Sequence, residues 1–148
     1  MRTSKEEILH LMTEYCYRVD SGNWDAFSDL FKHGSWEVTG DPAGEYKGKE
    51  GLLRLTDNVT LHEGIPHTKH AMSNVEITVD ESDDSATSRS YITVFQALPP
   101  QFPLQPIFIG SYDNQFKKID GVWYFTTMRI SPDLIGDLRF HRADMAEA

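Results

Sequence analysis

At Pro66 the hydrophobic pattern of this chain changes period, and that change dictates a two-part architecture. Upstream, Ile8, Leu11, Met12, Tyr15 and Val19 recur at helical spacing behind Thr3 with Glu6 and Ser4 with Glu7, each spaced as a capping box. They predict a first helix from about Ser4 to Asp20. Ser21-Gly22-Asn23 should end it, because Gly accepts a left-handed cap and Asn is a good start for a following helix. Trp24, Phe27, Leu30 and Phe31 mark that second helix, Ser35 to Thr39 a short strand, and Leu52, Leu55 and Val59 a third helix over about 49–61. Downstream, alternating and β-branched segments at about 68–80, 86–97, 107–118 and 122–131 predict strands. Asp80 to Asp84 and Ile119-Asp120-Gly121 are turns short enough to make antiparallel hairpins. The stretch 97–106 carries four prolines with Phe102 and Leu104, and reads as an apolar loop over a pocket mouth or a partner subunit. Helices first and strands afterwards give an α+β layer, a curved antiparallel sheet around amphipathic helices with a concave cavity.

The 148 residues suit one domain, 1–148, and 39% apolar content with eight Phe, six Tyr and three Trp is enough to build a core. A formal charge of −9 opposes binding to nucleic acid or anionic lipid. No apolar run approaches a membrane span, the first twenty residues lack a signal-peptide pattern, and Cys16 alone forms no internal disulfide. A cytoplasmic protein is expected.

Asp20 is the first candidate for chemistry. It falls in the last turn of a helix, where the negative end of the macrodipole disfavours a carboxylate by about 0.3–1 kcal/mol. Either it is exposed or caps the turn through its own oxygen, or it is held there by a partner that needs negative charge, and a histidine is the obvious one. Of six histidines, His62, His67 and His70 cluster, but their spacing matches no zinc motif and no metal is expected. His62 and His67 read as loop residues, whereas His70 begins a strand. Alternation there puts His70, Met72, Asn74 and Glu76 on one face and Val75, Ile77 and Val79 on the other, unless a bulge near Ser73 changes the parity.

These residues carry a family resemblance. Val19-Asp20-Ser21-Gly22-Asn23-Trp24-Asp25 resembles the early signature of SnoaL-like proteins of the NTF2-like superfamily, near scytalone dehydratase and hexachlorocyclohexane dehydrochlorinase. Leu30-Phe31 with Trp36, Tyr46 to Gly51, Thr68-Lys69-His70, Asn74 and Asp120 to Trp123 follow in the family's order, so the resemblance spans about residues 4–131. It implies a cone-shaped α+β barrel whose pocket holds an Asp–His pair, here Asp20 and His70. The imidazole would be the general base and the carboxylate would fix its tautomer and stabilise its protonated form. Elimination of water or halide, or double-bond isomerisation, would follow without a cofactor. Two departures leave the specific reaction open. Ser82 to Ala97 lacks the second histidine of scytalone dehydratase, and Tyr15 stands where the dehydrochlorinase has lysine, with Arg129 only near the position of its arginine.

Tyr15, Phe27, Trp36, Met72, Asn74, Tyr91, Phe108, Tyr112 and Arg129 are the candidate pocket residues, suited to a flat, mostly apolar small molecule. As core aromatics or surface ion-pair partners they would have ordinary structural roles. The resemblance also implies a homodimer or homotrimer, for which the Val75, Ile77 and Val79 face and the loop at 98–106 are the candidate surfaces. A lyase or isomerase is the leading expectation. The rival is a non-catalytic ligand-binding or assembly subunit, such as one resembling the small subunit of ring-hydroxylating dioxygenases, because this fold hosts both.

Overall fold

The computed structural model describes residues 1–145. Two helices, two short strands and a third helix come first: α1 (Ser4–Ser21), α2 (Trp24–Asp29), β1 (Ser35–Val38), β2 (Glu45–Lys47) and α3 (Gly48–Thr56). Four long strands follow, β3 (Thr68–Asp80), β4 (Ser85–Leu98), β5 (Phe102–Ile119) and β6 (Val122–Ile135), and a short helical turn at Ala143–Met145 ends the described chain. One open sheet in the order β2-β1-β6-β5-β4-β3 holds every strand, antiparallel throughout except that β1 runs parallel to β6. Register shifts at Ser73/Glu76, Val94/Phe95, Ile109/Gly110 and Gln115/Phe116 curl it around the helices. No helix among the described residues is long and apolar enough to cross a membrane.

Local chemistry accounts for the helix boundaries. Thr3 and Glu6 form a reciprocal capping box, with Thr3 Oγ1 accepting from the Glu6 N–H and Glu6 accepting from the Thr3 N–H. Gly22 takes φ +75° at the end of α1, and the Asn23 side chain caps α2 by accepting from the Ala26 N–H. A Cβ on Gly22 would lie 2.6 Å from the carbonyl oxygen of Gly64, so the end of α1 sits directly against the segment that leads into β3.

Inward-facing residues fill the concave side unevenly. Near the β5–β6 turn the core is solid, with Phe31 stacked on Phe125 at 5.2 Å and Phe116 against Phe125 at 4.8 Å. Toward the opposite ends of these strands, Phe108 and Tyr112 of β5 border a cavity.

Four expectations change. α3 stops at Thr56, five residues short of Leu61, because the Thr56 hydroxyl donates back to the Leu53 carbonyl and Asp57 and Asn58 tighten the chain into a turn. Strand β2, only three residues long, lies between the expected first strand and third helix, where no element was expected. The proline-rich stretch is no free loop: Leu98 pairs with Phe102, Gln96 with Gln105 and Phe95 with Pro106. Pro99 and Pro100 make the turn, and Pro103 and Pro106 are tolerated because β5 extends past the end of β6 there and needs no ladder donor on that edge. Finally, a bulge at 74–75, with Asn74 at φ +55°, reverses the parity of β3. Ile77 and Val79 therefore pack against the core on the same side as Met72 and do not form an outward face, while Val75 stays exposed.

Candidate functional site

α1 and β3 bring Asp20 and His70 together. Asp20 Oδ1 accepts from His70 Nδ1 at 2.6 Å and from the Thr68 hydroxyl at 2.7 Å, while Oδ2 accepts from the His70 backbone N–H at 2.7 Å. Two of these donors come from one residue, so the carboxylate fixes both the backbone and the ring of His70. The side chains are only 9% and 5% exposed. Burial pushes the Asp20 carboxyl up, and the hydrogen bonds and charge of His70 outweigh it to hold the group below the usual carboxylate range. This arrangement answers the unfavourable dipole position, since three donors replace the water that would otherwise solvate the acid. With a carboxylate on Nδ1, the proton of neutral His70 belongs there and Nε2 is left as the basic nitrogen.

The His70 ring lines an apolar cavity of about 70 Å³, with walls that include Val19, Leu55, Val94, Phe108, Ile130 and Leu138. At roughly 10–15 Å³ for each water, this volume accommodates one compact ring more readily than a polycycle. Tyr15 packs edge-on to His70 at 6.2 Å and accepts from Trp36 Nε1 at 3.1 Å. Burial raises both the Tyr15 and Tyr112 hydroxyls above their ordinary range, so they remain protonated donors. Burial and the neighbouring Asp20 push the Cys16 thiol up to about 12, which removes it as a nucleophile near neutral pH.

Of the residues singled out in the sequence, Tyr15, Phe27, Trp36, Phe108 and Tyr112 join His70 around this cavity. Four others lie elsewhere. Met72 borders a groove between α1 and β3 with Thr13, Tyr17 and Lys69. Asn74 is exposed in the bulge, and Tyr91, 49% exposed, belongs to the outward alternation of β4. Arg129 also faces outward, where it donates to Glu37 at 2.7 Å. His62 Nε2 donates to the Phe140 carbonyl at 2.7 Å, and His67 lies beside it. Sequence reasoning missed His141 and Arg142, which return to the cavity from beyond β6. No periodic pattern or motif marks that segment; a histidine next to an arginine was its only signal.

A profile of the SnoaL-like domain matches residues 2–129. No protein of curated function matches the sequence. Among solved structures, the chain is similar to a Nostoc punctiforme protein of unknown function with a cystatin-like fold (TM-score 0.72, 24% identity, 92% of this chain and 97% of that one). It is also similar to an NTF2-like protein from Novosphingobium aromaticivorans (0.70, 22%, 86% and 80%). A third is the hexachlorocyclohexane dehydrochlorinase LinA-type3 from Novosphingobium barchaimii (0.70, 23%, 89% and 88%). These likenesses show a shared NTF2-like fold, and the profile match over most of its length establishes that the chain belongs to the SnoaL-like domain family.

Proposed function

We propose that the chain is a cofactor-independent cytoplasmic lyase or isomerase acting on a compact, hydrophobic cyclic molecule, with His70 as general base and acid and Asp20 as its orienting partner. The observation that carries this reading is the buried Asp20–His70 hydrogen bond at the wall of an apolar cavity. In the proposed reaction His70 Nε2 takes a proton from a carbon of the substrate, and the C–H electron pair becomes the new double bond. A leaving group on the adjacent carbon then departs, or the proton returns to another carbon. Asp20 stabilises the imidazolium between these steps. The dehydrochlorination named for one structural neighbour is an elimination of this kind.

The test offers monocyclic ketones and halogenated cyclohexanes to the purified protein in D₂O, reading deuterium incorporation by NMR and halide release by titration. Wild-type turnover that disappears in His70→Gln is the expected result. A protein that turns over none of them, yet retains a hydrophobic compound identified by mass spectrometry, would be a ligand-binding or assembly subunit. Assembly as a homodimer or homotrimer belongs to the same proposal, and gel filtration returning a monomer at high concentration would remove it.

A further inference from the structure

Arg142 brings a permanent positive charge to an otherwise apolar cavity, and the proton chemistry proposed for His70 leaves it without a role. It reaches the cavity from the segment after β6, beside Leu138 and Met145. Among the described lining residues it alone is charged at every working pH. Its side chain is only 12% exposed. Burial raises the Tyr112 hydroxyl and the Arg142 charge acts against that rise, so the guanidinium stands near enough to bear on a group in the cavity wall.

The backbone that carries Arg142 is tied down. Its N–H donates to the Leu138 carbonyl at 2.9 Å, and the His141 carbonyl accepts from the Thr60 N–H at 2.9 Å. One residue earlier, the Phe140 carbonyl accepts from buried Gln96 Nε2 at 3.1 Å and from His62 Nε2 at 2.7 Å. Three distant parts of the chain thereby place the segment from which the guanidinium enters the cavity.

The partner of this charge is local and far more open to water. Arg142 Nε donates to Asp144 Oδ1 and Nη2 donates to Oδ2, each at 2.8 Å, the two-point contact a guanidinium makes with a carboxylate. Asp144 lies in the short turn Ala143–Met145, and its side chain is 40% exposed. The remaining guanidinium N–H groups have no acceptor among the described residues. They are not sealed, however: the buried side-chain atoms without a partner belong to Ser90, Gln96, Asn114 and His141, so the unused donors of Arg142 keep accessible surface. Separating the pair affects its two ends differently. A buried guanidinium left alone is strongly unfavourable, whereas an aspartate with this much exposure regains water. An anion arriving beside Arg142 can therefore replace Asp144 with every charge still satisfied.

We propose that Arg142 binds the carboxylate of a compact cyclic acid whose ring occupies the apolar cavity, and that Asp144 is an internal stand-in which this ligand displaces. The proposal rests on the reading above, that the cavity is the substrate site, and narrows its occupant from hydrophobic rings in general to rings that carry a carboxylate. No covalent bond is made or broken in the exchange. The ring lies against walls such as Val94, Ile130 and Leu138, and the carboxylate takes over the two-point contact.

Cyclohexanecarboxylate and cyclohexanecarboxamide are probes of one shape that differ in charge. In NMR titrations of the wild type at pH 7, the carboxylate should shift the Arg142 Nε resonance and the Asp144 side-chain carboxyl resonance together, and the amide should shift neither. Asp144→Asn should raise the preference for carboxylate over amide about tenfold, because it removes the competing anion; the factor is that of a charge-assisted hydrogen bond. A pair that only braces the fold predicts no such gain. Adding Arg142→Gln should abolish the gain, and this double variant buries no unpaired charge that would unfold it. Unmoved resonances, no saturable carboxylate binding, an unchanged or lower preference in Asp144→Asn, or a gain that survives Arg142→Gln would each overturn the proposal. Turnover is read separately through His70→Gln, which should keep the preference, so the acid/base reading can fail while this one stands.

Discussion

Replacing Asp20 with Asn changes one atom, and the hydrogen bonds at the site determine where that atom goes. If the amide oxygen occupied the Oδ1 position, it would keep Thr68 and His70 Nδ1, but its NH₂ would meet the His70 backbone N–H donor to donor. The opposite orientation satisfies every group. The oxygen then accepts from the backbone N–H, the Thr68 hydroxyl rotates to accept, and Nδ1 accepts from the amide by passing its proton to Nε2. An unsatisfied buried N–H costs about 1–3 kcal/mol, so the second orientation wins. Loss of charge assistance costs about 1 kcal/mol for each of three bonds. Removing a carboxylate from a helix C-terminus recovers about 0.3–1 kcal/mol, for a net loss near 2 kcal/mol. For a chain of this size that lowers Tm by about 4–8 °C, leaving a folded protein. Its base is gone, however, because Nε2 now carries the proton, and the proton-exchange rate on cyclohex-2-en-1-one should fall by about 10³–10⁴-fold, the scale seen when a catalytic histidine is held in the wrong tautomer. Long-range ¹H–¹⁵N spectra of the imidazole report the tautomer and deuterium incorporation reports the rate. A variant that retained the Nδ1–H tautomer and exchanged at the wild-type rate would refute Asp20 as the orienting group.

Three further outcomes follow from the packing and titration of the chain. His141 is pushed down to about 3 in the folded state but returns to about 6.5 on unfolding. The unfolded state therefore binds the extra proton between these values, and stability falls with falling pH across that window by up to about 1.4 kcal/mol per unit. Asp20, held low by His70, adds its own loss only as pH drops through the ordinary carboxylate range. Urea titrations from pH 7 to pH 4 should show the slope flattening in His141→Phe; an unchanged slope would locate the buried proton deficit elsewhere. Gly22→Ala combines φ +75° with a Cβ 2.6 Å from a backbone oxygen, whereas Gly40→Ala has φ +77° and open space. Both pay about 1–2 kcal/mol of left-handed strain, and only Gly22→Ala should lose substantially more in chemical denaturation and displace the His70 resonances. Phe125→Ala removes a fully buried ring from the solid part of the core and should cost about 3–5 kcal/mol, while Arg129→Ala, on the outward face, should change stability by less than about 1 kcal/mol and leave ligand titrations unchanged.

What could be read in advance was whatever adjacent residues specify among themselves. Thr3 with Glu6, Gly22 and Asn23 define the ends of α1 and α2 through local hydrogen bonds, and helical periodicity supplies the buried face between them. Asp20 was visible as an acid at the wrong end of a helix, and His70 as a histidine entering a strand. Their partnership required the family pattern, since fifty residues separate them. Residue types say little about strand parity past a bulge: Asn74 in a left-handed conformation moves Ile77 and Val79 to the core side, and nothing before it in β3 announces the shift. Of the prolines in 97–106, read as a loop, Pro103 and Pro106 lie within β5, where the adjacent edge is free, and Pro99 and Pro100 make the turn before it. His141 escaped for a different reason. Thr60, His62 and Gln96 place it, and those contacts arise only after the whole chain has folded.

Two departures from ordinary residue placement converge on the cavity. A carboxylate lies at a helix C-terminus and needs three donors to be held there; an imidazole is buried with one nitrogen unpaired. Other buried polar atoms without partners occur at Ser90, Gln96 and Asn114, but none of these residues lines the cavity, and the amides of Gln96 and Asn114 are anchored through their nitrogens. Sequences that fold efficiently keep local preference and tertiary environment consistent, and exceptions that persist tend to concentrate where function requires them. Stability alone would favour an exposed position for Asp20 and an apolar residue at 141. The acid becomes favourable only through its partner: His70 supplies two of the three donors that hold it.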